Sequence, residues 1–408
     1  MTAPRWESAA TLEVDALLAD PSTHIVVCCG SGGVGKTTTA AALGVRAAEA
    51  GRRTVVLTID PARRLAQSLG LSELDNTPAP IPGVDLTAGG SLDAMMLDMK
   101  RTFDEVVIAH SEPGRAEEIL TNPFYQALSS SFAGTQEYMA MEKLGQLHRE
   151  SQSEGRWDLI IVDTPPSRSA LDFLDAPMRL GAFLDGRLIR ILATPARAGG
   201  RAYMRLLSAS LGVFSNVLNK IVGAQVLADL QTFVASFDAL FGGFRERAEQ
   251  TYELLAAPGT AFVVVAAPEP DALREASYFV ERLESENMPL AGLVLNRVAP
   301  VRLPDLSPDQ AAAGAERLRD GEMREGSDQA LTASLLQLHA DRMRAAARQH
   351  RLADTFVAAN PRVPVTTVTA LAQDVHDLEG LRRVGELMAQ RLEQNANTTG
   401  PVPLRDLT

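Results

Sequence analysis

The run Gly30-Ser31-Gly32-Gly33-Val34-Gly35-Lys36-Thr37 carries the first chemical signal in this chain. Its spacing is G-x-x-x-x-G-K-[ST], the pattern of a loop that cradles phosphates. Glycines let the backbone wrap so that its N–H groups face β- and γ-phosphates, and a helix starting there adds its positive end. Lys36 would neutralise phosphate charge and the Thr37 hydroxyl would ligate Mg²⁺. Two aspartates supply the catalytic half. Asp60 in LTIDPARRLA and Asp163 in LIIVDTPPSRSALDFL each close an apolar run. Such positions lie at the carboxyl edge of a parallel sheet, where α/β folds bind ligands. Either aspartate could instead cap a helix or fix a turn. The phosphate loop tips both towards function, and Pro165-Pro166 stiffens the loop beyond Asp163.

Other chemistries find little support. His24, His110, His148, His339, His350 and His376 show no metal-ligand spacing with one another or with a cysteine, so no zinc site is expected. The only cysteines, Cys28 and Cys29, are adjacent in an apolar run. Neighbours on a strand point to opposite faces, so these two are core residues of a reducing compartment rather than a disulfide.

The elements that must position these residues follow from the apolar runs. THIVVCC (23–29), RTVVLTID (53–60), WDLIIVDT (157–164), TAFVVVAA (260–267), LAGLVLNRV (290–298) and VPVTTVT (363–369) predict six strands. Their near-continuous Val/Ile/Leu content suits a sheet covered on both faces, and the helical patterns between them suit βαβ units. The fold class is therefore α/β: a P-loop NTPase with a mostly parallel sheet flanked by helices. Two long gaps between strands read as an inserted α-helical subdomain. In one, Leu92, Met95, Met96, Met99, Phe103 and Val106 follow the spacing of a single helix face. The other holds 204–244, apolar over a wide arc, which fits a subdomain core first and the wall of a client groove second. In a third insertion, Ser307-Pro308-Asp309-Gln310 reads as a capped helix start, and a longer helix is expected over 328–353. The expected organisation is an N-terminal extension (1–22), a core built from 23–89, 150–178 and 258–392, and a helical subdomain from 90–149 and 179–257. A helical insertion at about 299–357 interrupts the core, and a polar tail covers 393–408.

With 408 residues, 46% of them hydrophobic, the chain can bury a large core. A formal charge of −12 argues against nucleic-acid binding driven by overall charge. The first residues lack a secretion signal and no apolar run approaches the ~18 residues of a membrane span, so a cytoplasmic protein is expected.

GSGGVGKTTTAA, TIDPARRLA, AGTQEYMAM, LIIVDTPP, FVVVAAPE and GLVLNRV, in this order and spacing, resemble the ArsA-like branch of the deviant-Walker P-loop ATPases. That branch holds the arsenite-pump ATPase and the targeting ATPase for tail-anchored membrane proteins. The resemblance covers residue 23 to about 380 and is closest to the paired actinobacterial proteins called anion-transporting ATPases. It implies ATP and Mg²⁺ as cofactors, with Thr38 joining the loop residues in nucleotide binding. Asp60 would orient the attacking water and Asp163 would hold Mg²⁺ through water. Pro166 and Arg168 would belong to the second switch. Asn296 would hydrogen-bond the adenine edge, with Arg297 beside it. Family members work as nucleotide-gated dimers whose helical subdomains rearrange, which implies a hydrophobic protein client or a membrane partner.

The departures are as informative. The family loop reads G-K-G-G-x-G-K-T, and its first lysine reaches the partner's nucleotide; here that residue is Ser31. Arg63 and Arg64 follow D-P-A in the first switch, and Arg168-Ser169 stands for Gly-His in the second. The Cys-x-x-Cys pair that joins many targeting-ATPase dimers through zinc is absent, as are the arsenite pump's metalloid cysteines. Loss of a transition-state cation costs on the order of 10³ in rate. Three readings follow: a silent or regulatory nucleotide-binding subunit, a heteromer with a lysine-bearing paralogue, or compensation by Arg63, Arg64 or Arg168. The heteromer is preferred because Lys36, Asp60 and Asp163 are all retained. A membrane-cycling partition-type ATPase would need a basic amphipathic C-terminal helix, and GLRRVGELMAQRLEQ carries little basic charge.

Overall fold

A computed structural model describes residues 10–390 apart from 61, 63, 124, 127–128, 130–134, 166–245, 302 and 321–325. All six expected strands are present, at Ile25–Cys29 (β1), Arg53–Thr58 (β2), Leu159–Asp163 (β5), Thr260–Ala266 (β6), Leu290–Val298 (β7) and Val365–Thr369 (β8). Two more, Ala79–Pro80 (β3) and Ser91–Met96 (β4), complete a sheet ordered β3-β4-β2-β5-β1-β6-β7-β8. Only the β3–β4 pair is antiparallel. Every other neighbouring pair is parallel. The chain leaves β1 towards β2 on one side and later returns to β6 on the other. The crevice beyond β1 is thus the topological switch point, the usual ligand position in such sheets.

Strand β4 corrects the reading of 92–106 as one helix. Ser91–Met96 runs parallel to β2, pairing Arg53 with Ser91 through to Thr58 with Met96. Leu92 and Ala94 bury on one face of the sheet, Met95 on the other. A short apolar run satisfies both periods, and the open edge of β2 decides for the strand. The sheet therefore reaches past residue 89. The helix starts at Met99 (α4, Met99–His110), where the Asp98 carboxylate caps the amide of Arg101, and Phe103 and Val106 keep their expected buried face.

Cover on the two faces differs in kind. Helix α2 (Lys36–Glu49) lies close on one face because its contact residues are small: Ala40, Ala41, Ala42 and Gly44. A Cβ on Gly44 would meet Val56 Cγ2 at 2.6 Å, so the helix sits as near as glycine allows. Helix α10 (Leu378–Ala389) packs beside α2 and buries Leu381, Val384, Leu387 and Met388 in the same core. On the opposite face, α4, α6 (Thr135–Glu154) and α7 (Pro270–Ser285) share one apolar cluster with the strands. Helices α1 (Val14–Ala19), α3 (Arg64–Ser68) and α5 (Pro113–Thr121) are short. Cys28 and Cys29 fall in opposite clusters, as strand alternation requires, and both thiols are free. Burial pushes Cys29 up to about 12, so it is an inert core residue.

The N-terminal extension is tied down where it is described: Val365 N–H donates to Ala10 O and Leu12 N–H to Val365 O. The third insertion is a helical hairpin of α8 (Pro308–Arg319) and α9 (Asp328–Ala359). Helix α9 starts where expected and runs six residues beyond 353, to Ala359. Ser307 and Gln310 form the expected capping box, with Gln310 N–H to Ser307 Oγ at 3.2 Å and Ser307 N–H to Gln310 Oε1 at 3.1 Å. No helix among the described residues is long and apolar enough to cross a membrane. The 204–244 stretch and the tail 393–408 lie outside the described residues. Ser307→Ala is expected to destabilise α8 by about 1 kcal/mol. Hydrogen exchange should read this as faster exchange of the first-turn amides of α8; unchanged protection there would contradict the capping.

Candidate functional site

The loop between β1 and α2 is shaped by positive φ at its glycines. Gly35 precedes α2 with φ +94°, and a Cβ there would lie 2.2 Å from Asn296 Nδ2. Gly30 has φ +152°, and a Cβ there would lie 2.1 Å from the Val265 carbonyl oxygen. The loop is thus pressed between the ends of β6 and β7, and only glycine fits at either contact. The first amides of α2, from Lys36 to Thr38, lack intrahelical acceptors and open on the crevice. Lys36 is buried and donates from Nζ to the carbonyl of Ser31 at 2.8 Å. Burial pushes its ammonium below the usual lysine value, with Asp163 the largest opposing influence. A buried cation resting on one backbone carbonyl is poised to exchange it for a phosphate oxygen.

Asp163 gathers the rest. Its Oδ2 accepts the hydroxyl hydrogens of Thr37 and Thr58, each at 2.8 Å. Its Oδ1 is buried with no hydrogen-bond partner. Burial pushes the carboxyl up to about 6, against the two hydroxyls and Lys36, which pull it down. An orphaned carboxylate oxygen beside a threonine hydroxyl is the hard-oxygen donor set that Mg²⁺ takes with phosphate and water. These residues fit the metal. Asp60 is buried as well; its Oδ1 accepts Ala62 N–H at 3.0 Å and its Oδ2 accepts Arg64 Nη1 at 3.3 Å. The Arg64 side chain is 55% exposed, so this ion pair is worth about 0–1 kcal/mol.

On the far side of the loop, Asn296 Nδ2 donates to Val34 O at 2.8 Å, and Asn296 Oδ1 accepts Arg297 N–H at 2.9 Å. Asn296 therefore braces the phosphate loop, whatever else it contacts. Arg297 holds φ +59° at the strand's irregular end. One cleft of about 910 Å³ joins Gly33, Lys36, Thr37, Asp60, Asn296 and Arg297. That volume is ample for a nucleotide-sized ligand.

The structure thus brings together Gly30, Ser31, Gly32, Gly33, Val34, Gly35, Lys36, Thr37 and Thr38 on the loop, with Asp60, Asp163, Asn296 and Arg297 around it. Pro166, Arg168 and Arg63 lie outside the described residues. Among the described residues, no group of three His, Cys, Asp or Glu is arranged to hold a metal. Sequence reasoning missed the wall formed after β8, from Thr369 to His376, together with Gln67, Ser68 and Thr164. Position at the carboxyl edge was the available signal for Thr164 and for the segment after β8; nothing in their residue types marked them.

The family model described as anion-transporting ATPase matches residues 23–312, from β1 into α8. The chain belongs to that family. It is 25% identical over 300 residues to ATPase ASNA1 homolog 2 of Paramecium tetraurelia, covering 69% of this chain and 78% of that one. It is also 25% identical to ATPase GET3C of Arabidopsis thaliana, over 66% of each chain. A third relative at 25% identity is ATPase ARSA1 of Chlamydomonas reinhardtii, with 71% of this chain and 37% of that one covered. Family and relatives agree on ATPase as the activity, in keeping with the loop and its aspartates.

Two outcomes are expected from this geometry. Gly35→Ala forces a β-carbon into the Asn296 amide at positive φ, a strain of about 1–3 kcal/mol. It should lower the melting temperature and abolish nucleotide binding; an unperturbed variant would contradict the packing. For Asp163, the folded carboxyl lies above its unfolded value of 3.8. Its stabilising contribution is present below that value and is lost as pH rises through about 6. The stability of the wild type relative to Asp163→Asn should therefore fall between pH 4 and pH 6 in denaturant titrations without metal. A flat difference would contradict the burial.

Proposed function

We propose that this chain binds Mg²⁺-ATP and hydrolyses it, and that its nucleotide state rearranges a dimer whose other half is a lysine-bearing paralogue. One observation carries the reading: Lys36, Thr37 and the half-satisfied Asp163 converge at the switch point of the sheet. Lys36 and the first amides of α2 bind the β- and γ-phosphates. Thr37 and Asp163 are the residues that would hold Mg²⁺. The metal supplies charge neutralisation at the phosphate oxygens. Asp60 orients the attacking water. Asn296 and Arg297 flank the base, and Pro166 and Arg168 belong to the second switch. The chain acts in the cytoplasm, on a hydrophobic protein client or a membrane partner.

Ser31 supports the unequal pairing. A hydroxyl cannot replace the charge that the family's first lysine offers to a neighbouring site, whereas Lys36, Asp60 and Asp163 are retained for this chain's own nucleotide. The same serine favours a second reading, a regulatory subunit that binds nucleotide and turns it over weakly. A membrane-cycling version gains little, because α10 buries its apolar face in the core.

Turnover of the purified chain alone should be slow, vanish in Lys36→Ala, and rise when a lysine-bearing paralogue is added. Ser31→Lys should raise turnover of the chain alone by about 10²–10³-fold. Ordinary turnover that Ser31→Lys leaves unchanged would sink the pairing, and co-purification of the chain only with itself would do the same.

A further inference from the structure

The first switch holds a cation against the proposed water-orienting carboxylate. Arg64 opens α3, four residues after Asp60, and lines the same cleft as Lys36 and Thr37. Its guanidinium bonds Asp60 Oδ2 at 3.3 Å, while Ala62 N–H occupies Oδ1. Each oxygen of the proposed water-orienting carboxylate therefore already has a donor. The Arg64 bond is the weaker hold: it is long, and the side chain is half exposed on its arginine end and buried on its aspartate end. The charge of Arg64 also reaches Lys36, whose proton it helps to push off. Two cations thus border one space, and a polyanion is the ligand that relieves their repulsion.

We propose that Arg64 is a γ-phosphate sensor that acts within its own chain, bonding Asp60 when the cleft lacks a γ-phosphate and turning to that phosphate when ATP enters. A guanidinium makes short, paired hydrogen bonds to phosphate oxygens, and these outcompete a single long contact with a carboxylate. Transfer of Arg64 frees Asp60 Oδ2 to accept a water hydrogen at the moment the phosphate to be attacked is in place. ADP has no γ-phosphate and leaves the Arg64–Asp60 pair closed. The device rests on the ATP reading of the cleft and is independent of the pairing with a paralogue. It makes Arg64 a determinant of ATP over ADP.

The test is calorimetric titration of the full chain with a hydrolysis-resistant ATP analogue and with ADP, both with Mg²⁺, so that no turnover enters the readout. Arg64→Ala should weaken the analogue about tenfold or more and change ADP by less than about twofold. Arg64→Lys keeps the charge without the fork and should recover part of the discrimination. Circular dichroism checks that each variant is folded. Lys36→Ala is the control for the site itself and should lose both ligands. If Lys36→Ala loses both but Arg64→Ala leaves the analogue-to-ADP ratio unchanged, the sensor is overturned and the ATP reading stands. If Lys36→Ala binds both as the wild type does, the phosphate-loop reading falls and the sensor falls with it.

Discussion

One buried carboxylate oxygen, Asp163 Oδ2, takes the hydroxyl hydrogens of Thr37 and Thr58. Three elements meet on it: the first turn of α2, the end of β2 and the end of β5. Thr58 and Asp163 are register partners across β2 and β5, and Cys28 pairs with Asp163 across β1 and β5. The parallel register therefore delivers Thr58 and Asp163 to one level at the carboxyl edge of the sheet, where Thr37 meets them from the first turn of α2. A carboxylate placed there is costly unless its oxygens find donors or a cation. The protein satisfies one oxygen internally and leaves the other unpartnered. That half-satisfied state links the fold to the proposed chemistry, because either a proton or a hard cation such as Mg²⁺ would relieve it.

The cleft is assembled around that point by close backbone approach. Gly30 and Gly35 let β6 and the Asn296 amide press against the phosphate loop. Asn296 returns a hydrogen bond to Val34, so the loop is held from outside as well as by its own glycines. Lys36 rests on Ser31 O, so the backbone of the loop partners the buried ammonium. Ser31 is thus part of the cis site through its backbone, and any side chain there can offer that carbonyl. The serine side chain carries no charge, and the proposed unequal pairing rests on that difference from the lysine of the resembled loop.

Legibility in the sequence tracked how local each cause was. The phosphate loop, the six long strands and the Ser307 capping box were readable because their signals lie within a few residues. The segment 91–96 was misread because six residues fit a helix face and a strand equally; the neighbouring edge of β2 made the choice. The Asn296 brace on Val34 was hidden because it joins residues 262 positions apart in the sequence. The wall from Thr369 to His376 was hidden for the same reason: its role comes from where β8 ends. Arg64 was visible as an oddity, but only the helical turn that brings it back on Asp60 gave it a partner.

Thr37 and Asp163 are proposed as the metal side of an ATP site. Calorimetric titration of the wild-type chain with ATP, in the presence of Mg²⁺ and again with the metal chelated, tests this assignment most directly. Binding should be markedly tighter with Mg²⁺, and that advantage should shrink as pH falls below about 6 and Asp163 takes up its proton. ATP affinity indifferent to Mg²⁺ at neutral pH would contradict it.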